Sequence, residues 1–324
     1  MKKVLVLGGS YFIGYNIVKN LIKDGYAVTI LNRGTANPKF SGEVETILCD
    51  RKNACNMKAQ LKDKHFDFVI DVSCYTASDA EAVYEALDRK SIEQYIFISS
   101  SAVYHSGQDL PLNETSDAGE NIVWGDYGTD KSAAEKFFLS KHEGEGFPVV
   151  ILRPPYVYGE NNYVYREAFM FDRITLSRTI ILPNEGKTRV QFIHVYDLYR
   201  TIEAIFGKHE TIGQVYNVGD EQPVTLAEWV QCCMEVCEKH TKVVGFDYLD
   251  SGYESRDFFP LHDYEYFLNT DKIREIYTPR ISMTEGLRAS FSWYSDNVGS
   301  INAKSHYAVN EKDILEKYAL KQLD

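Results

Sequence analysis

Long apolar runs are missing from this 324-residue chain, so no stretch of it is expected to span a bilayer. Met1-Lys2-Lys3 leads directly into a strand pattern rather than a signal-peptide core, and the expectation is a soluble, cytoplasmic protein with no membrane partner. Paired cysteine spacings are also missing. Cys49, Cys55, Cys74, Cys232, Cys233 and Cys237 form no CxxC pair, and no nearby histidine completes a zinc pattern. They read as reduced thiols used as small apolar residues, and no metal is expected. Positive charge is scarce: 35 Lys and Arg stand against 47 Asp and Glu, a net charge of −12. That balance argues against a general nucleic-acid binder, because neutralising phosphates needs a Lys/Arg surface. It leaves room for an anionic small substrate held in a local basic pocket. Low-complexity tracts and repeats of solenoid length are absent as well.

What is present is alternation. The hydrophobic share of 44% supports a sizeable core. Short apolar runs mark strands at Val4–Leu7, Ala27–Leu31, Glu45–Leu48, Phe68–Val72, Gln94–Ile98 and Pro148–Leu152. Helical patterns fall between them at Ile13–Asp24, Asn56–Lys64, Ser78–Leu87 and Gly128–Lys141. Strand–helix alternation at this spacing demands right-handed crossovers and a parallel sheet covered on both faces. The expected fold is α/β, a Rossmann-type doubly wound parallel sheet. Residues 1–158 would form a dinucleotide-binding domain with a returning segment near 190–215. Residues 159–189 and 216–324 would form a smaller substrate-binding region and a C-terminal helical tail.

The first strand ends in Gly8-Gly9-Ser10-Tyr11-Phe12-Ile13-Gly14, a tight turn opening a helix. Such a turn brings backbone N–H groups and a positive helix N-terminus together, which suits a phosphate. Tyr11 stands where the usual dinucleotide spacing has a small residue. The second strand ends in Asn32-Arg33-Gly34, with no acid about 20 residues past the loop to hold ribose hydroxyls. Arg33 could instead pair with a 2′-phosphate, so the cofactor expectation is NAD(P), leaning to NADP. Asp50 and its neighbour Arg51, after the third strand, join the cofactor set. Asp50 either accepts from an adenine amino group or caps the following helix.

A second constellation follows. Ser99-Ser100-Ser101 sit at the carboxyl end of the Gln94–Ile98 strand, the edge where open α/β sheets bind ligands. Tyr127 and Lys131 lie four apart, so one helix places both on the same face. A phenol with a pKa of about 10 is a poor base at neutral pH unless a cation stabilises its phenolate, and Lys131 offers one.

With these motifs in hand, the chain resembles the extended short-chain dehydrogenase/reductase family, the NAD-dependent epimerase/dehydratase group that acts on nucleotide sugars. Leu152-Arg153-Pro154-Pro155-Tyr156-Val157-Tyr158-Gly159, Phe192-Ile193-His194-Val195-Tyr196-Asp197-Leu198, Tyr216-Asn217-Val218-Gly219 and Gly286-Leu287 through Trp293-Tyr294 extend the likeness over about residues 4 to 294. The resemblance implies that Tyr127 is the catalytic base or acid and that Lys131 holds the nicotinamide ribose. It implies that Ser100 orients the substrate oxygen, with Ser101 a close rival on the substrate side. Two departures stand out. Tyr11 replaces a glycine of the cofactor loop, and Val190 stands where many sugar-nucleotide members carry an arginine, with Arg189 a neighbouring substitute. Together with Asn32-Arg33-Gly34 and Asp71-Val72-Ser73 they resemble an atypical branch, in which catalytic residues are often degraded and some plant members bind RNA. This chain keeps the Ser, Tyr and Lys, which favours an active enzyme.

On the substrate side, the loop carrying Asn162, Tyr163 and Arg166 offers rings and amides to a base or sugar. Arg173, Arg189 and Arg256 are candidate diphosphate ligands because a guanidinium fork suits phosphate. His194 reads as a packing histidine, and Ser251–His262 as a mobile lid or an ordinary loop. Asn310–Leu323 has helical spacing and could pack on the body or on a second subunit of a homodimer. The expectation is therefore an NAD(P)-dependent epimerase, dehydratase or reductase taking a small-molecule substrate, a nucleotide sugar. The alternatives are an NADP-sensing regulatory protein without turnover and an RNA-binding atypical member.

Overall fold

Val4, Leu5, Val6 and Leu7 are completely buried, as a strand with neighbours on both edges and helices on both faces must be. In the computed structural model, which describes residues 1–301, 305–318 and 320–323, they belong to β1 (Lys3–Leu7). The chain continues through α1 (Phe12–Lys23), β2 (Ala27–Asn32), β3 (Glu45–Leu48), α2 (Ala54–Leu61) and β4 (Phe68–Asp71). Next come α3 (Ala77–Ala86), β5 (Gln94–Ile98), α4 (Asp126–Glu145) and β6 (Val149–Arg153). The strands form one parallel sheet in the order Val215–Asn217, β6, β5, β4, β1, β2, β3. The chain winds outward from β1 in both directions, so the order reverses between β1 and β4. The carboxyl ends of the strands at that reversal form the crevice where doubly wound sheets take their ligands. The fold expectation therefore holds.

The sequence pattern places these elements within a few residues. Two differences have local causes. Asn53 accepts from the Asn56 N–H at 3.0 Å and so starts α2 two residues before the apolar pattern does. Asp50 forms a tight turn with the Lys52 N–H instead of capping that helix.

The chain divides into two compact units, residues 1–157, 195–221 and 268–280 in one, and 158–194, 222–267 and 281–324 in the other. The first unit is thus re-entered twice, whereas the sequence pattern suggests one return. The second re-entry, Leu268–Arg280, is tied in by Asn269 N–H to the Leu112 carbonyl at 2.8 Å and by Lys272 Nζ to the Val215 carbonyl at 2.8 Å. In the second unit, helices Glu167–Thr175, Leu226–Val236 and Met283–Asp296 pack together. A small sheet there pairs Val243–Phe246 in parallel with Ile180–Pro183 and antiparallel with Lys321–Leu323. The end of the chain is thus a helix, Ser305–Lys317, followed by a strand, where the sequence pattern suggests helix throughout. The second half of the Ser251–His262 stretch packs inward. Phe258, Phe259 and Leu261 are completely buried in the second unit's core, and Phe259 meets Trp229 edge to face. Among the described residues, no helix is long and apolar enough to cross a membrane.

Candidate active site

The glycine loop lies at the carboxyl end of β1. A Cβ at Gly14 would stand 2.1 Å from the Gly8 carbonyl oxygen, so the first turn of α1 can press on the loop only with glycine there. Tyr11, the anomaly of the motif, adopts φ −133° and ψ 149° as the residue preceding α1. Any residue takes that extended backbone, so this position makes no conformational demand for glycine. Its side chain makes no capping hydrogen bond, and no acid occupies the first turn of α1. A helix start with neither a side-chain cap nor an acid suits an anion, which is the fit expected of a dinucleotide pyrophosphate. At the end of β2, Asn32 donates to the Ser10 hydroxyl at 2.8 Å and accepts from the Gly34 N–H at 2.8 Å, tying loop to strand. Arg33 beside it is exposed. Asp50 is exposed too, but Arg51 is buried: its fork grips Asp71 rather than turning outward.

On the same sheet edge as the loop, at the end of β5, the structure groups Ser100, Tyr127 and Lys131. Ser100 follows β5 and accepts the Ala102 N–H at 3.1 Å, which leaves its own proton for the phenol oxygen of Tyr127. Tyr127 and Lys131 project from the first turns of α4, and two contacts fix that helix. A Cβ at Gly128 would lie 2.2 Å from the Ala102 carbonyl oxygen, so α4 begins in direct contact with the turn that follows Ser100. One turn beyond Lys131, Glu135 is buried and bound by Arg153 Nε of β6 at 3.0 Å and by the Ser99 hydroxyl. Neither contact is visible as a motif. The signals present are a glycine directly after the tyrosine and a carboxylate one turn past the lysine.

The electrostatics are those of a dry pocket. Lys131 is only 2% exposed, its Nζ donates to the Ile98 carbonyl at 2.8 Å, and burial lowers its pKa to about 8. Tyr127 exposes 42% of its surface, yet its hydroxyl end is enclosed: burial raises the phenol pKa, and the Ser100 hydrogen bond offsets part of that. The net direction for the phenol is upward, because desolvation outweighs the Ser100 hydroxyl.

The remaining candidates lie elsewhere. Ser101 is buried, and its N–H donates to the Pro154 carbonyl at 2.9 Å. In the second unit, Asn162 is buried against Glu167 and the Val164 N–H, and Tyr163 is exposed. Arg173 does not present its fork to a pocket. It is buried against Glu311 and stacks over the Phe169 ring at 3.2 Å. Arg189 pairs with Glu265 at the surface, and Arg256 sits near His262, whose pKa falls to about 4 through burial and that charge. His194 is buried beside Tyr158.

A glycine turn at the end of β1 and a Ser–Tyr–Lys set at the end of β5, both on the carboxyl edge of a doubly wound sheet, are the marks of a Rossmann-type dinucleotide fold. The chain belongs to the NAD dependent epimerase/dehydratase family, whose model matches residues 4–219. Among curated proteins it is 27% identical over 310 residues to the chloroplast stem-loop binding protein of 41 kDa b of Arabidopsis thaliana, covering 90% of this chain and 79% of that one. It is 25% identical over 332 residues to the dTDP-D-glucose 4,6-dehydratase of Mus musculus, covering 91% and 89%. Among solved structures, dTDP-glucose 4,6-dehydratase from Bacillus anthracis in complex with NAD superposes with a TM-score of 0.77 at 19% identity, over 93% of this chain and 99% of that one.

Proposed function

We propose that this chain is an NAD(P)-dependent epimerase or dehydratase that acts on a nucleotide sugar by transient hydride transfer, with Tyr127 as the base. The observation that carries this reading is the grouping of Ser100, Tyr127 and Lys131 at the carboxyl end of β5, on the same sheet edge as the glycine loop. It is supported by the dehydratase relatives and by the fold shared with a UDP-glucuronic acid 4-epimerase from Bacillus cereus in complex with UDP-glucuronic acid and NAD. When bound, the dinucleotide would supply a hydride acceptor that later returns the hydride. The chain's own residues do the rest. Gly8 to Gly14 and the start of α1 hold the pyrophosphate. Ile98 takes one of the three ammonium donors of Lys131, leaving two for the ribose. With substrate in place Ser100 would turn its single hydroxyl proton from the phenol to the reacting sugar oxygen, and Tyr127 would take the proton of that oxygen. The positive charge of an oxidised nicotinamide would favour the phenolate that burial opposes. The test is to incubate the protein with dinucleotide and a panel of nucleotide sugars and follow the 4-keto or epimerised product. No conversion of any member by a protein that binds dinucleotide would overturn the reading.

Within this reading the cofactor leans to NADP. Arg33 is exposed just past β2, with no carboxylate in the Asn32-Arg33-Gly34 turn to claim the ribose. Dissociation constants for the two dinucleotides, measured side by side, decide it; tighter NAD binding removes the preference.

One observation favours a second reading. The Arabidopsis relative is named as a stem-loop binding protein. A net charge of −12 weighs against RNA as the ligand here. Filter binding with stem-loop RNA across salt concentrations separates the two, since phosphate contacts give a steep salt dependence.

A further inference from the structure

Lys131 is buried with no carboxylate among the described residues bonded to it, and something must exclude water from its ammonium. Phe97 of β5 covers one side, with Nζ 4.9 Å from the ring centroid. Tyr75 covers another at 5.1 Å. The Tyr75 ring also lies 6.3 Å from the Tyr127 ring, tilted by 53°. Tyr75 is 47% exposed while Lys131 is 2% exposed, so the tyrosine is the outer wall and the lysine the protected group.

The turn that carries Tyr75 is braced from below. Arg51 donates to the Asp71 carboxylate at 2.7 and 2.9 Å, to the Ser73 hydroxyl at 2.9 Å and to the Asp79 carbonyl at 3.2 Å. Asp79 in turn accepts the Tyr75 N–H at 3.1 Å and the Thr76 N–H at 3.2 Å. On its other side Ser73 packs so closely on Gly8 that a Cβ there would come within 2.8 Å. The backbone of Tyr75 is therefore held at both ends, and its ring has a fixed origin.

We propose that Tyr75 is a positioning residue of the acid–base set, its ring sealing Lys131 from water and bracing Tyr127. The part that meets both Lys131 and Tyr127 is the ring. The inference deepens the reading of Tyr127 and Lys131 as the reacting pair, but its test needs neither substrate nor cofactor. The groups facing Lys131 are Asp71 at the end of β4, Cys74 in the turn beside Tyr75, Arg51 after β3 and Glu135 on its own helix. Removing the ring admits water and forfeits a cation–π contact; hydration is the larger effect, because burial is the leading cause of the low Lys131 value.

The experiment is lysine Nζ NMR on 15N-lysine protein, with the Lys131 signal assigned by its loss in Lys131→Arg. Wild type and Tyr75→Phe should titrate near 8. Tyr75→Ala should titrate higher by about one pH unit or more, a tenfold change in the proton equilibrium. An unchanged Lys131 titration in folded Tyr75→Ala overturns the proposal, as does a Tyr75→Phe protein that behaves like Tyr75→Ala. If Tyr75→Ala does not fold, Tyr75→Ser makes the same comparison, since it too removes the ring and admits water at a half-exposed position. Failure of the enzyme reading would appear separately, as absence of turnover in a wild type whose Lys131 still titrates low.

Discussion

Arg51 and Asp71 are joined fork to fork, at 2.7 and 2.9 Å, with the Tyr95 hydroxyl donating to the same carboxylate at 2.7 Å. Both residues are buried, and the pair links the turn after β3 to the end of β4. Breaking a buried pair from one side leaves an uncompensated charge, at a cost of about 3–5 kcal/mol. Arg51→Met or Asp71→Asn should each lower stability by about that amount in urea unfolding. The double variant should recover a large part of the loss, since it buries no orphan charge. Equal, additive losses in the double variant would show that the pair is not the unit.

Tyr127→Phe keeps the ring and removes only the phenol oxygen. Nothing in the glycine loop depends on that oxygen, so dinucleotide affinity should stay within about twofold, whereas turnover should fall by about two to four orders of magnitude. Stopped-flow binding and steady-state rates on one preparation separate the two effects. Near-normal turnover would remove Tyr127 from the role of base.

Lys131 makes a stability prediction with a definite sign. Its folded pKa is about 8 against an ordinary value of 10.5, so between those values the unfolded chain binds the additional proton. Stability therefore rises as pH climbs from about 8 to 10.5, and the penalty is fully present below 8. The lowering corresponds to about 3 kcal/mol, part of which the lost Ile98 hydrogen bond would return. Lys131→Met should gain about 1–3 kcal/mol at pH 7, lose the gain by pH 11, and be inactive. Denaturation midpoints at the two pH values check it.

How much of this was legible in the sequence follows from the range of the interactions. The limits of β3 and β5 were readable to the residue, because Glu45–Leu48 and Gln94–Ile98 are bounded by turns and set by local patterning. The spacing of Tyr127 and Lys131 on one helix was readable for the same reason. Partners distant in sequence were not. Arg51 looked like a cofactor ligand from its place after a strand, and only the fold brings Asp71 to it. Arg173 looked like a phosphate fork, and only the packing of the C-terminal helix sets Glu311 against it. Tyr75 carried no motif at all. Its position above Lys131 depends on the parallel pairing of β4 and β5, in which Asp71 stands level with Phe97.

Gly128 separates local from tertiary effects. It lies inside α4, where alanine is intrinsically better by up to about 1 kcal/mol. A Cβ there, however, would lie 2.2 Å from the Ala102 carbonyl oxygen, a backbone atom that cannot swing aside. Either the start of α4 or the turn after Ser100 must move, and overpacking of this kind costs about 1–3 kcal/mol, so the clash wins. That movement separates Tyr127 from Ser100, and misplacement by about 1 Å is worth roughly a hundredfold in rate. Gly128→Ala should therefore be slightly less stable and about a hundred times slower, with dinucleotide affinity retained because the loop Gly8–Gly14 is untouched. A variant that is more stable and fully active would show that α4 does not need this contact to place Tyr127.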